Sequence, residues 1–195
     1  GVRARGTRDY WRRRGGQRGS VLEGRGWHAG GQAGHDGRVV TARRRDAEPV
    51  DCGVVGDVEG VDAGLLVRLL DAGLTPVFPA IMHDGRGTLL NCNADGVATA
   101  LATALAPQIP TGRVFGLDKR GVLRNPDDEE AVIAEITPDD FAALRAEGVG
   151  SKGMLPKLEN ALKAVAEGVR SVVIRSAGNL AEPSGTVIRE HPAAQ

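Results

Sequence analysis

Leu65, Leu66, Leu69 and Leu70 fall on one helical face and Asp62, Arg68 and Asp71 on the other. This pattern predicts a helix over residues 61–74, closed by Gly73 and laid on a sheet. Ahead of it, residues 39–41 and 54–55 are short β-type runs. Residues 75–81 then read as one buried strand. An Asp84-Gly85 turn within residues 83–87 and a returning strand over residues 88–92 complete a hairpin. Residues 96–106 are rich in Ala and Leu and predict a helix with Asp95 at its N-cap, ended by Pro107 and Pro110.

The second half repeats the alternation. Residues 113–117 read as a strand, residues 118–121 as a charged turn, and Val122 and Leu123 as a short β run, followed by a polar loop over residues 125–130. Thr137 and Pro138 mark a helix start that Gly148 would stop. Residues 151–157 open another helix, with Leu155, Leu158, Leu162 and Val165 as its inner face and Gly168 at its end, and residues 172–174 are the following strand. Strands alternating with helices of this length predict an α/β fold with a largely parallel open sheet. Before residue 38 no apolar period survives four residues, so residues 1–37 read as an irregular leader and residues 38–195 as the folded domain.

Composition sharpens that boundary. Residues 1–45 hold 12 Arg and no Lys against Asp9, Glu23 and Asp36, a net of +9, so residues 46–195 carry −9 and the chain as a whole is neutral. Both Trp (Trp11, Trp27) and the single Tyr10 lie in the basic stretch, together with 11 of the 28 Gly. A basic, aromatic-bearing leader suits nucleic acid, with Arg on phosphates and rings stacked on bases, and this forms a second functional reading. In the remainder aromatics are scarce, 3% overall, so the core must come from Val, Leu, Ile and Ala. The 195 residues contain no apolar run of about 18 residues, and the start lacks the apolar stretch of a secretory signal. Cys52 and Cys92 have no paired Cys or His spacing, which argues against a disulfide framework or structural zinc. None of His28, His35, His83 and His191 is spaced as a metal ligand. These features predict a soluble, cytoplasmic chain.

Three constellations could carry chemistry. Asn91-Cys92-Asn93-Ala94-Asp95 brings two amides and a carboxylate to the end of a strand, where open α/β sheets bind ligands, although Asp95 could equally just cap a helix. Gly153-Met154-Leu155-Pro156-Lys157 puts an ammonium in the first turn of a helix, where the macrodipole disfavours it and an anion such as phosphate would offset it. Lys152 adds a second cation there. A solvated Lys157 at the edge of the apolar stripe is the alternative. Asp118-Lys119-Arg120-Gly121-Val122-Leu123 is a turn suited to nucleotide contacts or to an ordinary hairpin.

In their order and separation, N-x-N-A-D before a helix, D-x-x-G-V-L after a strand and S-x-G-M-x-x-K opening a helix resemble the acetylglutamate kinase family of amino-acid kinases. The resemblance runs from about Gly34 to Arg189 and takes in Val61-Asp62 and residues 71–77. It implies a three-layer αβα sandwich of the amino-acid-kinase or carbamate-kinase type. It also implies ATP-dependent phosphorylation of the side-chain carboxylate of N-acetylglutamate or N-succinylglutamate in arginine biosynthesis, with magnesium accompanying ATP. Residue by residue, Lys157 matches the lysine that stabilises the transferring phosphoryl group, and Asp95 the carboxylate that orients catalytic lysines. Asn91, with Asn93 beside it, matches the acylamino-acid site. Asp118, Lys119, Arg120, Gly121, Val122 and Leu123, with Val149, Gly150, Ser151 and Gly153, match stretches lining the nucleotide. By the same resemblance Asp95 and Lys157 would meet across one cleft.

The family's Lys-x-Gly-Gly loop, its His-Gly-Gly-Gly loop and a substrate-gripping Arg have no counterpart in this sequence, whose first lysine is Lys119. The resemblance therefore implies a chain missing its front lobe, inactive as it stands and homo-oligomeric when complete. Residues 1–33 then read as a product of the wrong reading frame. A non-catalytic kinase-like module is a third reading.

Overall fold

Residues 29–31, 38–46, 53–125, 127–147, 153–180 and 184–191 are described by the computed structural model. They fall in two units, residues 1–104 and 105–195.

In the first unit β1 (Ala29–Gly31) pairs in parallel with β4 (Thr75–Val77). Part of the stretch expected to be irregular is thus a strand. Ala-Gly-Gly carries no apolar alternation, and pairing with the backbone of β4 defines it. Four further strands, β2 (Val40–Arg44), β3 (Val55–Val61), β5 (Ile81–His83) and β6 (Leu89–Cys92), close on one another in the order β2-β3-β6-β5. The β2–β3 and β5–β6 pairs are antiparallel, and β2–β5 and β3–β6 are parallel. Val40, Ala42, Met82, Leu90 and Cys92 fill the interior. Gly56 is required on β3, since a Cβ there would lie 2.8 Å from the Leu90 side chain and 3.0 Å from the Arg43 carbonyl.

The single strand expected over residues 75–81 is two strands in different sheets. Pro79 is the physical reason: it has no N–H for a ladder, and its carbonyl accepts from Ile81 N (2.8 Å) in a local turn that redirects the chain from β4 to β5. The β5–β6 hairpin is as expected. Its loop is closed by Asp84, whose Oδ1 accepts from Arg86 N (2.8 Å) and Thr88 N (3.0 Å). The Arg86 N–H, then the Thr88 hydroxyl, with the Thr88 N–H behind them, hold its carboxyl below the usual range.

Helix α1 (Ala63–Asp71) is capped by Asp62, and Gly73 (φ 76°) follows its end in the left-handed conformation. Only Leu66 of the four expected inner leucines is buried, and Leu70 is exposed. Helix α2 (Ala94–Leu105) starts at the end of β6.

The second unit is a four-stranded sheet in the order β7-β9-β10-β8, from β7 (Gly112–Leu117), β8 (Glu135–Ile136), β9 (Ser171–Ser176) and β10 (Thr186–Ile188). Pairs β7–β9 and β8–β10 are parallel and β9–β10 antiparallel. Alternation puts Arg113, Phe115, Val172, Ile174, Thr186 and Ile188 on the buried side. Among its described residues the unit has two α-helices, α3 (Pro138–Ala146) and α4 (Leu155–Ala166), and a short 3-10 helix at Ala177–Asn179. The buried stripe of α4 is Leu158, Ala161, Ala164 and Val165. Leu155 and Leu162, expected on it, are half-buried instead. Small alanines on that stripe let the helix approach β9 and β10. Val122 and Leu123 form no strand beyond one isolated bridge, Leu123 to Val132.

Among the described residues no helix is long and apolar enough to cross a membrane.

Candidate functional site

In the first unit, Leu90 and Cys92 of β6 point inward, so the residues between and after them, Asn91 and Asn93, project together from the other face and are exposed. Burial pushes the Cys92 thiol up, leaving it a packing residue. Asn93 performs the cap expected of Asp95. Its Oδ1 accepts from Asp95 N (2.8 Å) and Gly96 N (3.1 Å), and its carbonyl accepts from Val97 N (2.9 Å). The correction follows from where the strand stops: β6 ends at Cys92, so the helix begins two residues earlier than its Ala-rich composition suggests. Asp95 then sits in the first helical turn, half-buried, where its carboxylate is favoured by the helix dipole. Asn93 has committed its side-chain oxygen to the backbone and retains its amide NH2 as a donor toward any ligand beside Asn91.

In the second unit, Asp118, Lys119 and Arg120 form an exposed turn after β7, and the next three residues, Gly121, Val122 and Leu123, are buried. Lys119 pairs with Glu129 (4.0 Å) and Arg120 with Glu130. The turn is therefore tethered to the polar loop beneath it, weakly, because all four groups are solvated. Val149, Gly150, Ser151 and Lys152 lie outside the described residues, as do Gly148 and all but three residues of the leader.

Helix α4 begins without a side-chain cap: Met154 is the N-cap residue and Pro156 stands in the first turn. A Cβ on the preceding residue, Gly153, would meet nothing within 4 Å. Lys157 comes one and two turns before Ala161 and Ala164, both fully buried, so it lies beside their face of the helix. It is half-buried, with Nζ 5.4 Å from the centre of the Phe115 ring. The Arg113 guanidinium, on a side chain only 6% exposed, lies 3.8 Å from the centre of the same ring. One buried aromatic thus steadies two cations near the open start of a helix. Phe115 carried no signal in the sequence beyond an apolar strand position. Its role appears only when β7 and α4 are brought together.

A cavity of about 120 Å³ in this unit is lined by Arg124, Glu135, Asp140 and Glu147 among others, and contains none of the residues above. The residues with phosphate-binding character are on the turn and the helix start, and the candidate site is placed there. Among the described residues no group of three or more His, Cys, Asp or Glu is arranged to hold a metal ion.

Residues 19–176 match the family model described as the amino acid kinase family. An acetylglutamate kinase of Phocaeicola vulgatus is 43% identical over 169 residues, covering 87% of this chain and 66% of that protein. The chain thus spans just under two thirds of the length of that curated relative. A crystal structure of the Streptococcus mutans protein smu.665 superposes with a TM-score of 0.71 at 31% identity, covering 88% of this chain and 65% of that one. N-acetylglutamate synthase of Neisseria gonorrhoeae, at 21% identity and a TM-score of 0.70, shares the fold over 83% of this chain and 38% of its own. A Giardia carbamate kinase shares it at a TM-score of 0.57. The α/β class expected from the alternation is the class of these neighbours.

Proposed function

The chain belongs to the amino acid kinase family, and from that membership we propose that it acts in phosphoryl transfer from ATP to the side-chain carboxylate of an N-acylglutamate, a step of arginine biosynthesis. The observation that carries the acceptor is the 43% identity over 169 residues to an acetylglutamate kinase. In the reaction a carboxylate oxygen of the acceptor attacks the γ-phosphorus, the bond to the β–γ bridging oxygen breaks, and ADP leaves with that electron pair. The product is an acyl phosphate. Such a transfer asks the protein for alignment and charge neutralisation more than for covalent chemistry.

Lys157 and the uncapped start of α4 supply the second: an ammonium in the first turn of a helix that lacks a side-chain cap matches the phosphate oxygens that gain charge. The residues Asp118, Lys119, Arg120, Gly121, Val122 and Leu123, with Val149, Gly150, Ser151 and Gly153, line the nucleotide. Asn91 and Asn93 donate to the acylamino acid, and Asp95 is the carboxylate of the first unit that serves the transfer. Magnesium bound to ATP would share the charge neutralisation with Lys157.

The test is trapping of the acyl phosphate by hydroxylamine, with N-acetylglutamate and N-succinylglutamate as alternative acceptors. Hydroxamate formed with one acceptor, dependent on ATP and lost in Lys157→Ala and Asp95→Asn, supports the proposal and names the acyl group. ATP binding with no hydroxamate from either acceptor sinks it and leaves a nucleotide-binding module.

A further inference from the structure

The turn assigned to the nucleotide is anchored by a residue 64 positions away. Thr186, at the start of β10, is fully buried, and its hydroxyl oxygen accepts from the backbone N–H of Val122 at 2.8 Å. The Val122 carbonyl accepts from Ile133 N, also at 2.8 Å. Both backbone groups of Val122, two residues past the exposed Lys119-Arg120 tip, are therefore paired, the N–H through a side chain.

The surrounding shape leaves no slack. A Cβ on Gly121 would lie 2.8 Å from Thr186 Oγ1, 2.8 Å from Val132 Cγ1 and 3.2 Å from Thr186 N. On the other side of the contact, Gly185 adopts φ 122° and a Cβ there would lie 2.4 Å from the Ile174 carbonyl. Two glycines, one before each member of the pair, allow the turn and the strand to close on a single hydroxyl.

We propose that Thr186 is a positioning residue for nucleotide binding: its hydroxyl fixes Val122 and thereby the orientation of the Asp118-Lys119-Arg120 tip toward the nucleotide. This rests on the assignment of that turn to the nucleotide made above. A buried N–H deprived of its acceptor is costly, so the turn leaves this position when the hydroxyl is removed. Thr186→Val preserves shape and deletes the acceptor, and Thr186→Ser preserves the acceptor.

The experiment measures Mg-ADP binding by titration calorimetry and amide hydrogen exchange at residues 118–123 in the full chain. In the wild type, Val122 N–H exchanges at least about tenfold more slowly than the amides of Lys119 and Arg120. In Thr186→Val that protection disappears and Mg-ADP binds about tenfold more weakly, whereas Thr186→Ser retains both. If Thr186→Val does not fold, the wild-type exchange pattern and the serine variant decide: an unprotected Val122 amide, or a serine variant that folds and has lost nucleotide affinity, overturns the role. Mg-ADP binding unchanged in a folded Thr186→Val overturns the positioning role alone. A wild-type chain that does not bind Mg-ADP overturns the nucleotide assignment and the positioning role with it.

Discussion

The two helices of the second unit both carry proline in their first turn and yet begin in opposite ways. Helix α3 is closed by a reciprocal capping box. The Thr137 side chain accepts from Asp140 N (3.3 Å), and Asp140 Oδ2 accepts from Thr137 N (2.9 Å) and from its hydroxyl (2.7 Å). Asp139 and Asp140 add negative charge where the dipole favours it. Helix α4 has Met154 at its N-cap, no acid in the first turn and Lys157 there instead. The first start is saturated, with donors paired and charge complemented. The second forgoes about 1 kcal/mol of capping stabilisation and places a cation against the dipole. The uncapped start is the one to which the proposed function assigns phosphate.

The largest effect that would break this contrast is at Lys157. Lys157→Ala should lower the rate of hydroxamate formation by about two orders of magnitude or more, since it removes a charge needed where negative charge develops. The melting temperature should hardly move, because α4 keeps its buried Leu158, Ala161, Ala164 and Val165. A comparable fall in stability would reduce Lys157 to a packing residue. Converting one start into the other is the next test. Met154→Asp gives α4 a cap, and calorimetry should show Mg-ADP affinity down about tenfold while thermal stability rises by about 0.5–1 kcal/mol. Unchanged affinity would mean that the helix start is not an anion site.

The reverse experiment is smaller. Thr137→Ala opens α3 and should cost about 1 kcal/mol in a denaturant titration without altering nucleotide affinity. The smallest effect is in pH. The Asp140 carboxyl lies below the usual range because it accepts first from the Thr137 side chain and then from its backbone N–H. A carboxyl depressed in the folded state contributes stability above its unfolded pKa and loses it as pH falls through the folded value. Melting temperatures followed downward from about pH 5 should therefore fall more steeply in the wild type than in Asp140→Asn. Parallel curves would show the box to be energetically silent, as solvated groups can be.

Much of this was legible in local sequence. The helix start at Thr137-Pro138, Gly73 after α1, the hairpin around Asp84 and the strand after residue 112 all depend on residues within a few positions of one another, and sequence order displays such relations directly. The failures share a cause. Asp95 was expected to cap because the helix was started from its alanines, and the true cap, Asn93, depends on where β6 stops pairing with β3 and β5. Residues 75–81 were read as one strand because apolar character does not say which neighbour a strand will have. Lys157 could be placed on either side of the α4 stripe until Ala161 and Ala164, not Leu155 and Leu162, proved to be its buried positions.

The donor and charge chemistry of Asn91, Asn93, Asp95 and Lys157, the residues proposed to handle acceptor and phosphate, and their order along the chain are properties of the sequence alone, because such chemistry belongs to the side chain wherever it sits. Which of them stand beside what was decided by tertiary structure. Phe115 under two cations and Thr186 holding Val122 join segments 42 and 64 residues apart. Contacts at that separation arise from strand order and helix packing, which no local pattern of hydrophobic and polar positions encodes.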